Sequence, residues 1–112
     1  MNQEKLKGLI GLARRAGQLS LGTDTVLKQL KGGRCAAVLL DEAAAPNTRK
    51  HLAEAADFMK VPLFTVPEGL MDLATGQSGR IAAAVSRGGL ADQIILLFTT
   101  AGQADYATDF KR

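Results

Sequence analysis

Ser20-Leu21-Gly22-Thr23-Asp24-Thr25-Val26-Leu27-Lys28-Gln29-Leu30-Lys31-Gly32-Gly33-Arg34 reads as the end of a strand, a glycine turn, a short helix and a double-glycine stop. Gly22 takes a turn conformation at no side-chain cost, and Thr23 or Asp24 offers an oxygen to cap the helix. Val26, Leu27 and Leu30 share one helical face, which is predicted to bury against a sheet. Thr25, Lys28 and Lys31 recur at threefold spacing on another face and line up toward solvent. The helix start therefore offers free backbone N–H groups, short polar side chains and amines on one surface. That combination suits phosphate oxygens and nucleobase edges. Taken alone, the same residues also describe an ordinary capped surface helix.

Upstream of this stretch, Leu6, Leu9, Ile10 and Ala13 recur at the spacing of an amphipathic helix over Glu4 to Ala16. Gly8 and Gly11 inside it each cost up to about 1 kcal/mol relative to alanine and would let another element approach closely. Arg14 and Arg15 stand near its C-terminus, where cations are favoured, and Gly17 ends it. Leu19 and Leu21 then alternate with polar residues as a half-buried strand.

Downstream, Cys35 to Leu40 is a continuous apolar run, the pattern of a strand covered on both faces. Asp41 and Glu42 follow it. Asn47 is the expected cap of a helix with Leu52, Ala53, Ala56 and Met59 on its apolar side. Arg49 and Lys50 fall in its first turn, where the helix dipole disfavours cations, a broken local rule that can mark a functional surface. Val61 to Val66 reads as a strand and Pro67-Glu68-Gly69 as a turn. Leu70, Met71 and Ala74 give a short helix ended by Gly76. Ile81 to Val85 is a further apolar strand, Gly88 and Gly89 break the chain again, and Leu90 to Phe98 form a closing helix.

Helices and strands in alternation predict an α/β fold, a three-layer α/β/α sandwich around a four-stranded mixed sheet. The expected organisation is one domain over residues 1–100 and a polar C-terminal tail over 101–112, anchored only by Tyr106 and Phe110. At 112 residues and 46% hydrophobic content the chain can bury a real core without disulfides or metals. No apolar run reaches the length of a membrane span, and the N-terminus lacks the apolar centre of a secretory signal. A single cysteine fits a reducing compartment, so a cytoplasmic location is expected.

The net charge is only +3. Its distribution is uneven, because residues 1–34 carry Lys5, Lys7, Arg14, Arg15, Lys28, Lys31 and Arg34 against Glu4 and Asp24. A basic third on a near-neutral body points to one positive face for an anionic partner.

The chemistry available is narrow. With one histidine and one cysteine, no His/Cys metal site can be assembled within the chain, and no cofactor is implied. His51 reads as a surface residue and Cys35 as a small core residue. The Asp41–Glu42 pair stands where open α/β sheets place ligands, but no nucleophile or second carboxylate cluster lies near it in sequence. Gly76-Gln77-Ser78-Gly79-Arg80 lacks phosphate-loop spacing and precedes a strand, so it reads as a turn. The five aromatic residues are scattered, which does not describe a base-stacking platform. An enzyme is not expected.

With these residues laid out, the chain resembles the kink-turn-binding ribosomal-protein superfamily, and within it the small bacterial YlxQ-type members. The resemblance covers about Leu9 to Arg87. It rests on Gly-Leu-Ala-Arg-Arg-Ala-Gly at 11–17, Gly22-Thr23 followed by a helix with Lys28, and Ala37-Val38-Leu39-Leu40-Asp41-Glu42. Asn47-Thr48 with Lys50, Val61-Pro62 and the helix ending at Gly76 continue it in order.

The resemblance implies an α/β/α sandwich that binds RNA where a duplex bends beside tandem sheared G·A pairs. It further implies that Gly22, Thr23, Asp24 and Thr25 meet base edges and phosphate. Lys28, Lys31 and Arg34 would supply backbone contacts, Arg14 and Arg15 a flank, and Val66, Pro67, Glu68 and Gly69 a loop against the extruded nucleotide. One departure is chemical: the family has Asn-Glu where this chain has Asp24-Thr25. Asparagine donates and accepts, ionised Asp24 only accepts, and Thr25 puts a hydroxyl where the family has a carboxylate. The expected partner is a structured RNA, ribosomal RNA first, with ribosomal or other RNA-associated proteins beside it and no membrane. The competing expectation is a protein-interaction module on the same sandwich, using Asp41, Glu42 and Glu68 or the apolar closing helix.

Overall fold

The computed structural model describes residues 2–100. The tail over 101–112, with Tyr106 and Phe110, lies outside the described residues. In chain order the elements are α1 (Gln3–Arg15), β1 (Leu19–Leu21), α2 (Thr23–Lys31), β2 (Cys35–Asp41) and α3 (Pro46–Phe58). They continue as β3 (Leu63–Val66), α4 (Leu70–Thr75), β4 (Ala82–Ser86) and α5 (Gly89–Thr100). The four strands form one mixed sheet in the order β1-β4-β2-β3. β4 is antiparallel to both neighbours, pairing Leu19 with Val85 on one side and Leu40 with Ala82 on the other. β2 and β3 are parallel, with Val38 opposite Leu63 and Asp41 opposite Val66.

Because side chains alternate along a strand, β2 sends Ala37 and Leu39 to one face and Val38 and Leu40 to the other. The first pair joins a core with Leu6, Ile10, Met71 and Ile94 from α1, α4 and α5. The second joins Val26, Leu30, Leu52 and Ala56 from α2 and α3. This is the expected three-layer sandwich, and the unbroken apolar run of β2 is explained by cover on both faces. Three of the five residues of the inner strand β4 are alanine, and such short side chains let helices on both faces sit close to the sheet. Phe64 of β3 and Phe98 of α5 stack with ring centroids 4.6 Å apart and planes 6° apart, closing the first core. Gly11 shows why α1 carries a glycine in its interior. A Cβ there would stand 3.0 Å from the Ala74 carbonyl oxygen, so α1 and α4 touch through this position.

Several boundaries differ from the sequence reading. Neither Thr23 nor Asp24 caps α2. Gly22 is the cap residue at φ 107°, with no side-chain hydrogen bond, and Thr23 and Asp24 lie inside the first turn. That backbone conformation is closed to ordinary L-residues and turns the chain from β1 into the helix. α3 starts one residue before Asn47, because Pro46 has the φ and the missing N–H that suit a first helical position. Val61 and Pro62 precede β3, although the Pro62 carbonyl still accepts from the Val38 amide at 2.9 Å. Ile81 likewise precedes β4, and Gly89 opens α5 where a break was expected. Among the described residues, no helix is long and apolar enough to cross a membrane.

Candidate nucleic-acid interface

β1, β2 and β3 run in one direction and β4 runs against them. The C-terminal ends of three strands and the start of the fourth therefore meet at one end of the sheet. Gly22 to Thr25 leave β1 there, Glu42 to Asn47 leave β2, Val66 to Gly69 leave β3, and the turn at 76–80 delivers β4. β1 and β3 are the two edges, so the start of α2 and the 66–69 loop stand about 14 Å apart across the sheet at ~4.8 Å per strand. The N-termini of α2 and α3 also open at this end, each carrying about half a positive charge on unpaired N–H groups.

Asp41 organises the middle of this surface. It is the buried charged residue of the core, 4% exposed. Its Oδ1 accepts from the Ala43 amide at 2.7 Å and its Oδ2 from the Gly69 amide at 3.0 Å. The Gly69 bond crosses from β2 to the 66–69 loop and fixes that loop against the sheet. Neither an acid/base role nor a protein-docking role for Asp41, both open from sequence, matches a carboxylate committed to two backbone donors. Arg49 receives a similar explanation. Its Nη1 donates to Thr65 Oγ1 at 3.1 Å and its Nη2 lies 3.5 Å from the Asp41 carbonyl oxygen. A cation in the first turn of α3 is tolerated because it ties α3 to β2 and β3. Glu42 and Glu68 remain exposed.

The 76–80 turn, read from sequence as a connection only, contributes to the same end. Asp72 of α4 accepts from the amides of Gly79 and Arg80, both at 3.1 Å, which holds the turn and sets Arg80 at the entrance to β4. The Arg80 side chain is exposed and forms no ion pair among the described residues. No sequence signal found it, because its position depends on β4 lying between β1 and β2. Between α2 and α3 lies a shallow pocket of about 460 Å³, lined by Thr23, Asn47, Thr48, Lys50, His51 and Glu54. Lys50 and His51 are exposed at its rim.

The structure thus places Gly22, Thr23, Asp24 and Thr25 at the same end of the sheet as Val66, Pro67, Glu68 and Gly69, on the opposite edge, and it places Lys28 one turn along α2 on the exposed side. It does not bring the other expected cations to them. At 1.5 Å per residue Lys31 lies about 12 Å along the axis from Thr23, and Arg34 lies beyond it at the start of β2. Arg14 stands at the start of β1, its Nη1 donating to the Leu19 carbonyl at 3.2 Å, and Arg15 folds back beside Gly11. These four belong to other parts of the surface.

Among the described residues, no group of histidine, cysteine and carboxylate side chains could hold a metal ion. Cys35 is 2% exposed and its Sγ donates to the Ala37 carbonyl at 3.1 Å. Burial pushes its thiol up to about 11, against smaller opposing effects from hydrogen bonds to Ala37 and Val85 and from the charge of Arg87. The folded state then holds this proton more tightly than the unfolded state. The associated stability is complete below about pH 9 and is lost as pH rises toward 11. Native protein at neutral pH is expected to leave Cys35 unmodified by iodoacetamide, and denatured protein to react fully. Rapid native labelling, read by mass spectrometry, would contradict this placement.

An α/β/α sandwich that gathers a glycine-started helix and two strand-end loops at one end of its sheet defines a compact binding protein. The chain belongs to the ribosomal protein L7Ae/L30e/S12e/Gadd45 family, whose model matches residues 4–94. It is 34% identical over 90 residues to the RNA-binding protein YlxQ of Bacillus subtilis, covering 80% of this chain and 90% of that one. It is 32% identical over 63 residues to the YlxQ protein of Enterococcus faecium, covering 56% of this chain and 61% of the relative. Among solved structures, a protein of unknown function from Bacillus halodurans superposes with a TM-score of 0.81 at 28% identity, covering 85% of this chain and 97% of that one. The Giardia lamblia 15.5kD RNA binding protein shares the fold, with a TM-score of 0.73 at 19% identity over 88% of this chain and 85% of that one.

Proposed function

We infer that this protein binds structured RNA, without catalysing a reaction, through the end of the sheet formed by Gly22–Thr25, Val66–Gly69 and the turn at Arg80. The observation that carries this reading is the placement of the open α2 start and two backbone-pinned loops at one end of the sheet. Family membership and the RNA-binding relatives support it. The target fitting this surface best is a sharply bent, kink-turn-like RNA, ribosomal RNA being the first candidate, in the cytoplasm of a bacterium. Gly22 lets a base or phosphate approach the backbone, the α2 N–H groups meet anionic oxygen, and Lys28 and Arg80 neutralise phosphates on either side. Asp24, acceptor-only when ionised, favours base edges that present amino or imino N–H groups. Thr25 has a hydroxyl that both donates and accepts. A single domain over 1–100 is sufficient for this activity.

The test is a titration against a kink-turn RNA and a straight duplex of equal length at two salt concentrations. The kink-turn RNA is expected to bind more tightly. Lys28→Ala should weaken that binding about tenfold and reduce the salt slope by about one, as removal of one phosphate contact does. If the mutation changes neither affinity nor slope, Lys28 does not lie on the RNA face. Equal affinity for both RNAs would restrict the reading to general RNA binding.

A further inference from the structure

The excess positive charge of the chain does not lie at the end of the sheet just described. There, Lys28, Arg49, Lys50 and Arg80 stand among Asp24, Asp41, Glu42, Glu54, Glu68 and Asp72. At the opposite end, where β1, β2 and β3 begin and β4 finishes, Arg14, Lys31, Arg34, Lys60 and Arg87 stand against Asp57 and Asp92. The ion pair formed among the described residues joins Lys7 to Glu4 on α1, so none of these five cations is held in an ion pair among the described residues. Cations at helix C-termini have an ordinary cause, since each terminus carries about half a negative charge. Here α1, α2 and α3 end and α5 begins, which together offset about one elementary charge and leave this end positive by about two. Arg34 and Lys60 close the last turns of α2 and α3, their amides donating to the Gln29 and Asp57 carbonyls, whereas Arg87 lies two residues before the start of α5, where that cause does not act.

Three further features give this end a shape. Arg87 donates through Nε and Nη2 to the Gly33 carbonyl at 3.3 and 3.2 Å. Its guanidinium is held in place with three of its five N–H donors still free. Lys60 is the non-glycine residue with positive φ, 59°, in the turn between α3 and β3. Lys60 and Arg87 rim a cleft of about 450 Å³ whose lining includes Cys35, Ala36, Val61 and Ile95, with Asp92 as an acceptor at its edge. Two residues before Lys60, at the last position of α3, Phe58 is 84% exposed, the most exposed large apolar side chain among the described residues.

We propose that this end is a second RNA-binding surface, which takes an unpaired strand with phosphates on Lys31, Arg34, Lys60 and Arg87 and a base stacked on Phe58. Unneutralised cations interleaved with one presented aromatic ring are what a single strand requires. Every base has a face to stack, and every phosphate a charge to meet. A protein partner would need an exposed apolar centre at the interface; Phe58 stands among cations, and the apolar residues of the cleft are buried or half-buried. The two surfaces lie at opposite ends of the sheet, so one molecule can hold a folded RNA element and a neighbouring unpaired segment at once. This proposal stands apart from the kink-turn reading and can survive its failure.

The experiment measures fluorescence anisotropy of a labelled, unstructured RNA of about ten nucleotides with the full chain, within the range of single-strand site sizes. Phe58→Ser is expected to weaken binding about tenfold. The triple variant Lys31→Gln, Arg34→Ser, Lys60→Asn should weaken it at least tenfold and lower the salt slope by about two. Asparagine tolerates the positive φ at position 60, the other replaced residues are exposed, and circular dichroism checks that each variant is folded. Lys28→Ala should leave this binding unchanged, and saturating kink-turn RNA should not displace the oligonucleotide. Displacement together with sensitivity to Lys28→Ala would overturn the proposal in favour of one site. So would binding indifferent to the triple variant, or tighter binding of a polyglutamate peptide than of RNA. Failure of the kink-turn RNA itself to bind would sink the earlier reading while the oligonucleotide titration still decides this one.

Discussion

Asp41→Ala is expected to lower the unfolding free energy by about 2–4 kcal/mol and to free the loop at 66–69. The carboxylate is 4% exposed and accepts two backbone N–H bonds. Hydrogen bonds to a charged acceptor contribute about 1.5–3 kcal/mol each, and removing the acceptor strands both donors. Water reaches the half-buried Gly69 more easily than the core, which keeps the loss below the simple sum. Asp41→Asn retains one acceptor oxygen but turns an NH₂ group toward the second donor, so an intermediate loss is expected. Chemical denaturation gives the free energy, and hydrogen exchange at the Gly69 amide distinguishes a positioning role from general destabilisation. Its protection should fall in the variant further than protection across β2 and β4. A variant as stable as wild type within about 0.5 kcal/mol would show that Asp41 does not hold this end of the sheet.

The second large effect is at the edge strand. Phe64→Ala should cost about 3–5 kcal/mol, the range for truncating a buried phenylalanine. Phe64 is 2% exposed and Phe98 is fully buried, so the stacked partner cannot swing into solvent to fill the space. Part of the cost is the lost ring pair, worth about 0.5–1.5 kcal/mol beyond area burial. Phe64→Leu should recover much of the volume but not the stack, and should fall between the two. Equal losses for Phe64→Ala and Phe64→Leu in denaturant titrations would mean that the stacking geometry, not the cavity, sets the cost. Since Phe64 lies two residues before the 66–69 loop, the same variants should weaken RNA binding at that loop more than at Phe58.

Most elements were readable because their signals are local. The spacing of Leu6, Leu9, Ile10 and Ala13 needs only the helical period, and the run from Cys35 to Leu40 needs only cover on two faces. Boundaries shifted where backbone chemistry competes with side-chain chemistry. Pro46 began α3 ahead of Asn47, and Gly22 took the cap position that Thr23 or Asp24 could have filled. The placement of Gly22–Thr25 and Val66–Gly69 at one end of the sheet was expected through a family resemblance, and chain direction in the sheet accounts for it physically.

By itself, then, the sequence determined the alternation of helices and strands, the two-faced burial of β2 and the glycine turn before α2. Each follows from residue type and short-range periodicity. The tertiary structure alone decided the strand order β1-β4-β2-β3, which brings the 76–80 turn and Arg80 beside a helix more than fifty residues earlier. It also decided that Asp41 is an internal clamp, and that the cations of the first 34 residues divide between opposite ends of the sheet. Strand neighbours are chosen by which apolar faces fit together across the whole chain, and a helix carries its two ends to opposite sides of the sheet. Neither is written in any local stretch.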